Sequence, residues 1–267
     1  MSRAKVNIQR HWNRRPCGPN EEPATGTVDY FARIEEHRYV DYVPWLPRVM
    51  GFTDVPGRRL LEIGFGQGTD LIQFAQGGAR CTGIDLTATH IALTKKRFAQ
   101  QGLETVLLRG DAERLPFDDD SFDIVYSYGV LHHTPRFESA LREVRRILKP
   151  GGEARIMVYA RHSLFHAYVL LQSLLRLQLP RYGYRACLSH WCEGTDWDNP
   201  VPVRLFSKRE VAGRFREADF APIRISKHLL TRGNLPLIGS MLTESALERL
   251  ARLIGWNLIV HAGKPGA

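Results

Sequence analysis

Cysteine is scarce in this chain of 267 residues, and its few positions argue against a disulfide framework. The four cysteines are Cys17, Cys81, Cys187 and Cys192, and no two of them form a C-x-x-C pair. Cys187 and Cys192 flank His190, but a second ligand pair at zinc spacing is lacking, so we expect no metal site there. Such sparse cysteine in a long chain is typical of a reducing compartment.

The sequence also lacks long apolar runs. The first 16 residues have no apolar core or cleavage signal, so we expect no secretory peptide and a cytoplasmic location. The most apolar stretch, residues 163–179, is too short and too polar to span a bilayer comfortably. We expect a lid helix with its apolar side inward, and an interfacial membrane helix is the alternative. Its polar residues share the opposite side: His162, His166, Ser173 and Arg176.

Acidic residues are fewer than basic ones, 28 against 37, which gives a net charge of +9. This balance permits an anionic partner without requiring one. Two basic groups are expected to be solvated surfaces: Arg3, Lys5, Arg10, Arg14 and Arg15 near the N-terminus, and Arg142, Arg145, Arg146 and Lys149 on one predicted helix. Repeats and low-complexity tracts are absent, and an apolar content of 43% predicts one domain with extensions.

The periodicity of apolar residues predicts an α/β fold in four segments. These are an N-terminal arm and helical cap at 1–58, with the arm irregular over 1–26; a core at 59–161; a lid insertion at 162–206; and a C-terminal part of the core sheet at 207–267. Alternating strands and helices in the core predict a parallel sheet with helices on both faces. The predicted core strands are 60–63, 79–85, 105–109, 123–128 and 153–160. The C-terminal part adds strands near 223–230 and 256–261.

A glycine loop follows the first predicted strand. Gly64, Gly66 and Gly68 stand at alternate positions after Glu62. Glycine has no Cβ and accepts positive φ, so this backbone can approach a ligand closely. A dinucleotide-binding loop needs its third glycine one place later, where Thr69 stands. The loop therefore predicts a cofactor site and disfavours an NAD(P)-dependent oxidoreductase.

Polar residues also follow the neighbouring strands, whose carboxyl ends meet at one edge of the sheet. Asp85 ends the second strand and can accept both hydroxyls of a ribose. Asp111 follows the third strand and can accept the amino group of adenine, while the Ala112 amide serves a ring nitrogen. After the fourth strand, either His132 or His133 can take a proton from a hydroxyl or thiol, because imidazole titrates near neutral pH.

Five segments in this order resemble the motifs of class I S-adenosylmethionine (SAM)-dependent methyltransferases. They are RLLEIGFGQGTD, GIDL, GDAERLPF, SYGVLHHTP and LREVRRILKPGGEARI. The likeness is to the small-molecule branch, the type 11 methyltransferase domain, near the ubiquinone/menaquinone-type and natural-product enzymes. It is close over residues 59–159. It implies a Rossmann-like, doubly wound, seven-stranded sheet of order 3-2-1-4-5-7-6, with strand 7 antiparallel, an N-terminal helical cap and a helical insertion after strand 5.

The resemblance also implies how SAM is held. The glycine loop and Glu62 would bind its methionine end, and Tyr128 would border the sulfonium. The expected cofactor residues are Glu62, Gly64, Phe65, Gly66, Gly68, Thr69, Asp85, Leu86, Asp111, Ala112, Glu113 and Tyr128. The expected catalytic residues are His132 and His133, and no metal is expected.

The implied activity is methylation of a small molecule, with a hydroxyl or thiol favoured as acceptor, in natural-product metabolism. Methyltransferases acting on exocyclic base amines carry an Asn/Asp-Pro-Pro-aromatic run after the fourth strand, where this chain has SYGV, and the NPVP at Asn199 is misplaced for that role. A nucleic-acid methyltransferase is therefore disfavoured, and a non-catalytic SAM-binding protein is a further alternative. A membrane partner is not expected, and 163–179 is the one segment that offers it as an alternative. The acceptor and the oligomeric state stay open.

Overall fold

A mostly parallel sheet of eight strands organises the described residues. The computed structural model describes residues 2–14, 24–235 and 238–266. The strands are β1 Arg59–Ile63, β2 Arg80–Asp85, β3 Val106–Arg109, β4 Phe122–Tyr128, β5 Leu148–Ala160, β6 Leu205–Phe206, β7 Ile223–His228 and β8 Asn257–Gly263. Their order is β3-β2-β1-β4-β5-β8-β7, and β6 pairs with β5 off this path. Strand β8 runs antiparallel to β5 and β7, and the other pairs are parallel.

Helices cover both faces of this sheet. They are α1 Arg3–Arg14, α2 Val28–Glu36, α3 Leu46–Met50, α4 Thr69–Gln76, α5 Ala88–Gln100, α6 Phe137–Ile147, α7 Leu164–Leu175, α8 Gln178–Glu193, α9 Lys208–Glu217 and α10 Glu244–Ile254. A π-helical segment, His37–Tyr42, continues α2. Alternate residues of β1 supply two apolar layers, because successive side chains of a strand point to opposite faces. Leu61 packs in the layer that includes α6, and Leu60 packs in the layer that includes α4.

The predicted sheet is confirmed, with one addition. Strands β8 and β7 take the places predicted for strands 7 and 6, and the two-residue β6 is the extra strand. Strand β5 also begins earlier than predicted, at Leu148, because the predicted Pro-Gly-Gly turn stays within the sheet. The Gly151 amide donates to the carbonyl of Lys264, and the Lys264 amide donates to the carbonyl of Gly152.

The prediction of an irregular N-terminal arm is wrong where the structure describes it. Arg3–Arg14 form helix α1, while residues 15–23, which include predicted Arg15 and Cys17, lie outside the described residues. Lys5 is buried rather than solvated, because its ammonium group pairs with Asp111 and Glu113. The sequence pattern did not predict this contact, since its partners lie more than 100 residues away.

The orientation predicted for the lid helix is also wrong. In α7, Ser173 from the predicted polar side is buried, whereas Leu171, Leu174 and Leu175 are 53%, 58% and 68% exposed. The helix ends at Leu175, the chain turns at Leu177 with φ 54°, and α8 packs back against α7. Among the described residues, no helix has both the length and the apolar character needed to cross a membrane.

Candidate active site

A cavity opens at the carboxyl ends of β1, β2 and β4, where the predicted motifs meet. It encloses about 840 Å³ and is partly open to solvent. More than half of the predicted site residues line it: Gly64, Gly66, Asp85, Leu86, Asp111, Ala112, Tyr128 and His133. Helix α1 adds a wall that was not predicted, made of Lys5, Ile8 and Trp12.

The three glycines of the loop adopt left-handed backbone conformations, with φ of 74°, 55° and 73° at Gly64, Gly66 and Gly68. A Cβ at Gly64 would collide with Val130, and one at Gly68 would lie 2.6 Å from Cγ2 of Thr94. At Gly66 a Cβ would meet nothing within 4 Å. Two glycines are therefore required by packing, and the third leaves open space at the cavity wall.

Hydrogen bonds fix the Asp85 carboxylate at the edge of this cavity. Its Oδ2 accepts from the Gly66 amide at 3.1 Å, and its Oδ1 accepts from the Thr87 amide at 2.8 Å and the Thr87 hydroxyl at 2.9 Å. Nδ1 of His90 lies 3.2 Å from Oδ2. Asp85 thus connects the glycine loop to the start of α5, which is where the ribose prediction requires a carboxylate.

Asp111 and Glu113 hold helix α1 against the cavity. The Lys5 ammonium donates to one oxygen of each carboxylate, and Arg136 donates to Glu113 through its backbone amide at 2.8 Å and its Nε at 2.9 Å. Burial opposes ionisation of Glu113, but these donors hold its pKa below its ordinary value. Glu113 does not line the cavity and acts as an anchor, whereas Asp111 lines the cavity while also binding Lys5.

Two further predicted residues support the loop from behind. The Phe65 ring is buried in the core and fills the space beside Gly83. The Thr69 hydroxyl accepts a hydrogen bond from Arg97 at 3.0 Å, and its carbonyl accepts one from the Tyr39 hydroxyl at 2.9 Å.

Two carboxylates, Glu62 and Asp70, lie buried beneath the glycine loop. Asp70 accepts from the Arg38 guanidinium, at 2.6 Å from Nε, and from the hydroxyls of Tyr126 and Tyr39 at 2.6 and 2.7 Å. Glu62 is 3% exposed, and its Oε2 has no hydrogen-bond partner among the described residues. Asp70 is therefore surrounded by hydrogen-bond donors, whereas Oε2 of Glu62 has none.

Their pKa values move in opposite directions for this reason. Burial, followed by the charge of Asp70, raises the pKa of Glu62 well above its ordinary value. Burial also disfavours the Asp70 anion, but Arg38 and the two tyrosine hydroxyls hold its pKa low. Asp70 thus ionises more readily than an ordinary carboxyl group, whereas Glu62 favours its protonated form. Arg38, which no sequence spacing marked, also lies 4.6 Å over the Tyr128 ring that lines the cavity.

The two predicted catalytic histidines differ in position. His133 lines the cavity, and its Nδ1 lies 2.7 Å from the carbonyl oxygen of Pro202. This carbonyl can only accept, so Nδ1 carries a hydrogen and Nε2 is the nitrogen left for proton transfer. Nε2 lies 3.6 Å from Oε1 of Glu193, and both atoms are buried without a hydrogen-bond partner among the described residues. His132 is fully buried against the Tyr159 ring, and burial followed by the neighbouring His133 lowers its pKa well below 6.5.

Glu193 ends α8 in the insertion and was not predicted as a site residue, because no local motif marks it. His132, His133 and Glu193 bring possible metal-ligand atoms within 4.8 Å of one another. Cys187, His190 and Cys192 form no such group in the described part of the chain. Nδ1 of His190 instead lies 2.8 Å from the carbonyl oxygen of Thr195.

Comparison with known proteins identifies a known family for residues 61–156, which include the glycine loop. Residues 61–156 match the family model described as a methyltransferase domain. Over 101 residues, the chain is 45% identical to a phthiotriol/phenolphthiotriol dimycocerosates methyltransferase of Mycobacterium tuberculosis, covering 37% of each protein. It is 43% identical to a fatty-acid O-methyltransferase of Mycolicibacterium smegmatis, covering 37% of this chain and 36% of the relative. This part of the chain is a class I SAM-dependent methyltransferase domain.

Solved structures share the fold of the methyltransferase domain. A SAM-dependent methyltransferase from Thermotoga maritima aligns with a TM-score of 0.56 and 20% identity, covering 96% of this chain and 99% of its own. Another from Mesorhizobium loti aligns with a TM-score of 0.57 and 20% identity, covering 82% and 97%. The matched curated relatives are covered over little more than a third of their length, so their similarity applies to that stretch.

The cofactor of this domain is SAM, and the residues present fit it. The unpartnered Oε2 of Glu62 suits the ammonium group of a methionine moiety, since an unpaired buried acceptor is costly until a donor reaches it. The open space at Gly66 and the fixed carboxylate of Asp85 suit the nucleoside. That each of these residues contributes to the binding of SAM stays a prediction.

Proposed function

We propose that the protein transfers the methyl group of SAM to a hydroxyl group of a small apolar molecule. The observation that carries this proposal is the geometry of His133, which lines the cavity and whose Nδ1 donates to the Pro202 carbonyl, so that Nε2, beside Glu193, is the nitrogen left for proton transfer. A hydroxyl is a weak nucleophile until its proton leaves, so a base at the cavity would activate the acceptor by removing this proton.

The cofactor residues provide alignment. Glu62 and the glycine loop would hold the methionine end, Asp85 the ribose, and Asp111 with Ala112 the adenine. When bound, SAM supplies an electrophilic methyl group. Fixing this group against an acceptor in a closed site converts a bimolecular reaction into an effectively unimolecular one.

His133 would take the acceptor proton on Nε2, and Glu193 would stabilise the imidazolium that forms. The carboxylate oxygen 3.6 Å from Nε2 is close enough to favour a positive charge there. His132 is less suited to this task, because it does not line the cavity and its lowered pKa makes it a weaker base.

The character of the acceptor follows from the cavity wall and from the relatives. Ile8, Trp12, Val130 and Pro135 give one side of the cavity an apolar lining. Relatives with 43–45% identity over 101 residues are named for the methylation of dimycocerosates and of fatty acids, and the second name specifies oxygen. An acceptor with an alkyl chain and a hydroxyl or carboxyl oxygen agrees with both observations.

Transfer of labelled methyl from SAM tests the proposal. Matched long-chain acceptors that end in a hydroxyl, carboxyl, thiol or amine group would be compared, with His133→Ala as the control. We expect label on the oxygen acceptors. In the variant we expect loss of transfer to the hydroxyl acceptor, continued transfer to the carboxyl acceptor, which is already ionised at neutral pH, and retention of S-adenosylhomocysteine (SAH) binding. Exclusive labelling of amines would contradict the base mechanism. SAH binding without transfer to any acceptor of the series would favour a non-catalytic SAM-binding protein.

A further inference from the structure

The hairpin formed by α7 and α8 presents an exposed apolar tip. Leu171, Leu174 and Leu175 recur at helical spacing on one face of α7, and Leu177 in the turn is 70% exposed. The opposite face of α7 supplies the packing of the hairpin, through buried Val169. The exposed leucines are therefore not needed to hold α7 on the protein.

The charges around this tip have a single sign. Residues 154–192 contain no aspartate or glutamate. Arg176, Arg181 and Arg185 are exposed, and no ion pair joins them to a carboxylate in the described part of the chain. Arg161, by contrast, is paired with Glu210. The hairpin thus combines an apolar edge with three uncompensated cations.

Aromatic side chains flank the leucines. Tyr168 is 44% exposed and Tyr184 is 42% exposed, and the Tyr184 hydroxyl lies 3.0 Å from Nε2 of His166, which links the two helices. Amphipathic aromatic rings are favoured where an apolar phase meets water. The hairpin thus presents exposed leucines and Arg176 at its turn, with Tyr168 and Tyr184 farther along the two helices.

We propose that the α7–α8 hairpin docks on the surface of an anionic phospholipid bilayer. The leucines of the tip enter the acyl boundary, and the three arginines contact anionic head groups. Interfacial helices bind by this combination of buried apolar area and electrostatic attraction. Charge complementarity selects this partner, because an apolar face that pairs with a second copy of this chain would bring the same arginines against one another.

Helix α8 links the tip to the candidate active site. Its last residue, Glu193, lies beside His133, which lines the cavity, whereas the tip precedes the first residue of the helix. A docked hairpin would therefore contact the bilayer at one end and the site at the other. The surface itself is inferred independently of the proposed reaction, since vesicle binding requires neither SAM nor an acceptor.

Co-sedimentation with vesicles tests the proposal. One vesicle preparation contains phosphatidylcholine alone, and the other contains about one third phosphatidylglycerol. We expect binding to the anionic vesicles that weakens at high salt. The triple variant Leu171→Gln, Leu174→Gln, Leu175→Gln should lose affinity by a factor of about 100 or more, because three apolar side chains no longer enter the bilayer. Arg181→Gln with Arg185→Gln should lower affinity about 25-fold, near fivefold for each charge.

Met241→Gln with Leu253→Gln is the matched control, because these side chains are 81% and 71% exposed but lie outside the hairpin. It should bind vesicles as the unmodified protein does, and SAH titration should show that every variant keeps a folded cofactor site. Absence of binding to anionic vesicles would overturn the proposal, as would equal loss in the control. A dimer in solution that the triple leucine variant dissociates would assign this face to a second copy of the chain instead.

Discussion

Replacement of Glu62 by glutamine tests the buried acid pair beneath the glycine loop. Because burial and Asp70 raise the pKa of Glu62, the folded state favours its protonated form more than the unfolded state does. A group of this kind contributes its full stability below its unfolded pKa and loses it as pH rises toward the folded value. The contribution of Glu62 should therefore decline as pH rises above 4.5, the ordinary pKa of a glutamate side chain.

The size of this effect follows from the proton that folding must keep bound. Each pH unit above the unfolded pKa costs about 1.4 kcal/mol while the folded acid stays protonated, which sets a ceiling of about 3 kcal/mol at pH 7. Glutamine has nearly the same shape and needs no proton. We therefore expect Glu62→Gln to raise the free energy of unfolding by about 1–3 kcal/mol at pH 7 and to change it little near pH 4.5.

Urea unfolding at pH 4.5, 6 and 8 measures the effect, without cofactor. Glu36→Gln is the control, since Glu36 is exposed and the substitution removes the same charge. The difference between the two variants should grow with pH. If both variants respond alike, Glu62 is ionised in the folded protein and the reasoning is refuted.

The same substitution should weaken the binding of SAH, although it stabilises the empty protein. Glu62 can lose its proton when the cofactor ammonium arrives and pair with it, whereas a glutamine cannot ionise, and a hydrogen bond to a charged group contributes about 1.5–3 kcal/mol. We expect the SAH affinity to fall about tenfold or more by calorimetry. Unchanged affinity would place the ammonium elsewhere and would leave the stability result untouched.

Four further substitutions separate binding, packing and chemistry. Asp85→Ala should weaken SAH binding by about 1.5–3 kcal/mol in calorimetry, and an unchanged affinity would refute the ribose assignment. Gly64→Ala should lower the melting temperature, because a left-handed alanine costs about 1–2 kcal/mol and its Cβ collides with Val130; an unchanged melting temperature would contradict the loop geometry. His133→Ala should reduce the methyl-transfer rate about 10²–10⁴-fold at constant SAH affinity and remove the low-pH limb of the rate profile. Glu193→Gln should slow the same step, and wild-type rates in both variants would exclude the pair as a base.

The core sheet could be predicted from sequence because its signals are local. The apolar run of Leu60–Ile63 ends at glycines that admit positive φ, and Asp85 follows the second strand at the spacing of a nucleotide-binding unit. Residues 61–156, where these signals are densest, are also those that match the methyltransferase family model. Local pattern and global fold agree there, so the strand order was predicted with one short addition.

The orientation of α7 could not be predicted in the same way. Periodicity identifies an apolar face on a helix, but it does not state what that face contacts. The leucines were placed inward on the assumption that an apolar face covers a core, whereas Ser173 is buried and Leu175 is exposed. An amphipathic pattern is equally compatible with a lid that covers the core and with a helix whose apolar face is exposed for an external partner. The packing of α8 against the other face of α7 shows which face is exposed.

The partners of the site residues could not be predicted from the sequence for a related reason. Lys5 reaches Glu113 across more than 100 residues, and Glu193 reaches His133 across 60. Neither pair leaves a spacing signal, because the distance along the chain is set by the intervening elements and not by the contact. Arg38 is a comparable case, since its role depends on Asp70 in a different segment.

The residues that local sequence patterns predicted lie mostly in the cofactor-binding part of the proposed reaction. The long-range partners that were not predicted lie around the proposed base. The glycine loop, Asp85 and His133 lie within the family match at 61–156, whereas Glu193 and Pro202, which fix the surroundings of the His133 ring, come from the insertion. The same insertion carries the exposed leucines and arginines of the hairpin. One segment would thus orient the base and contact the bilayer, so acceptor selection should depend on the insertion, while the matched segment binds a cofactor that the wider family shares.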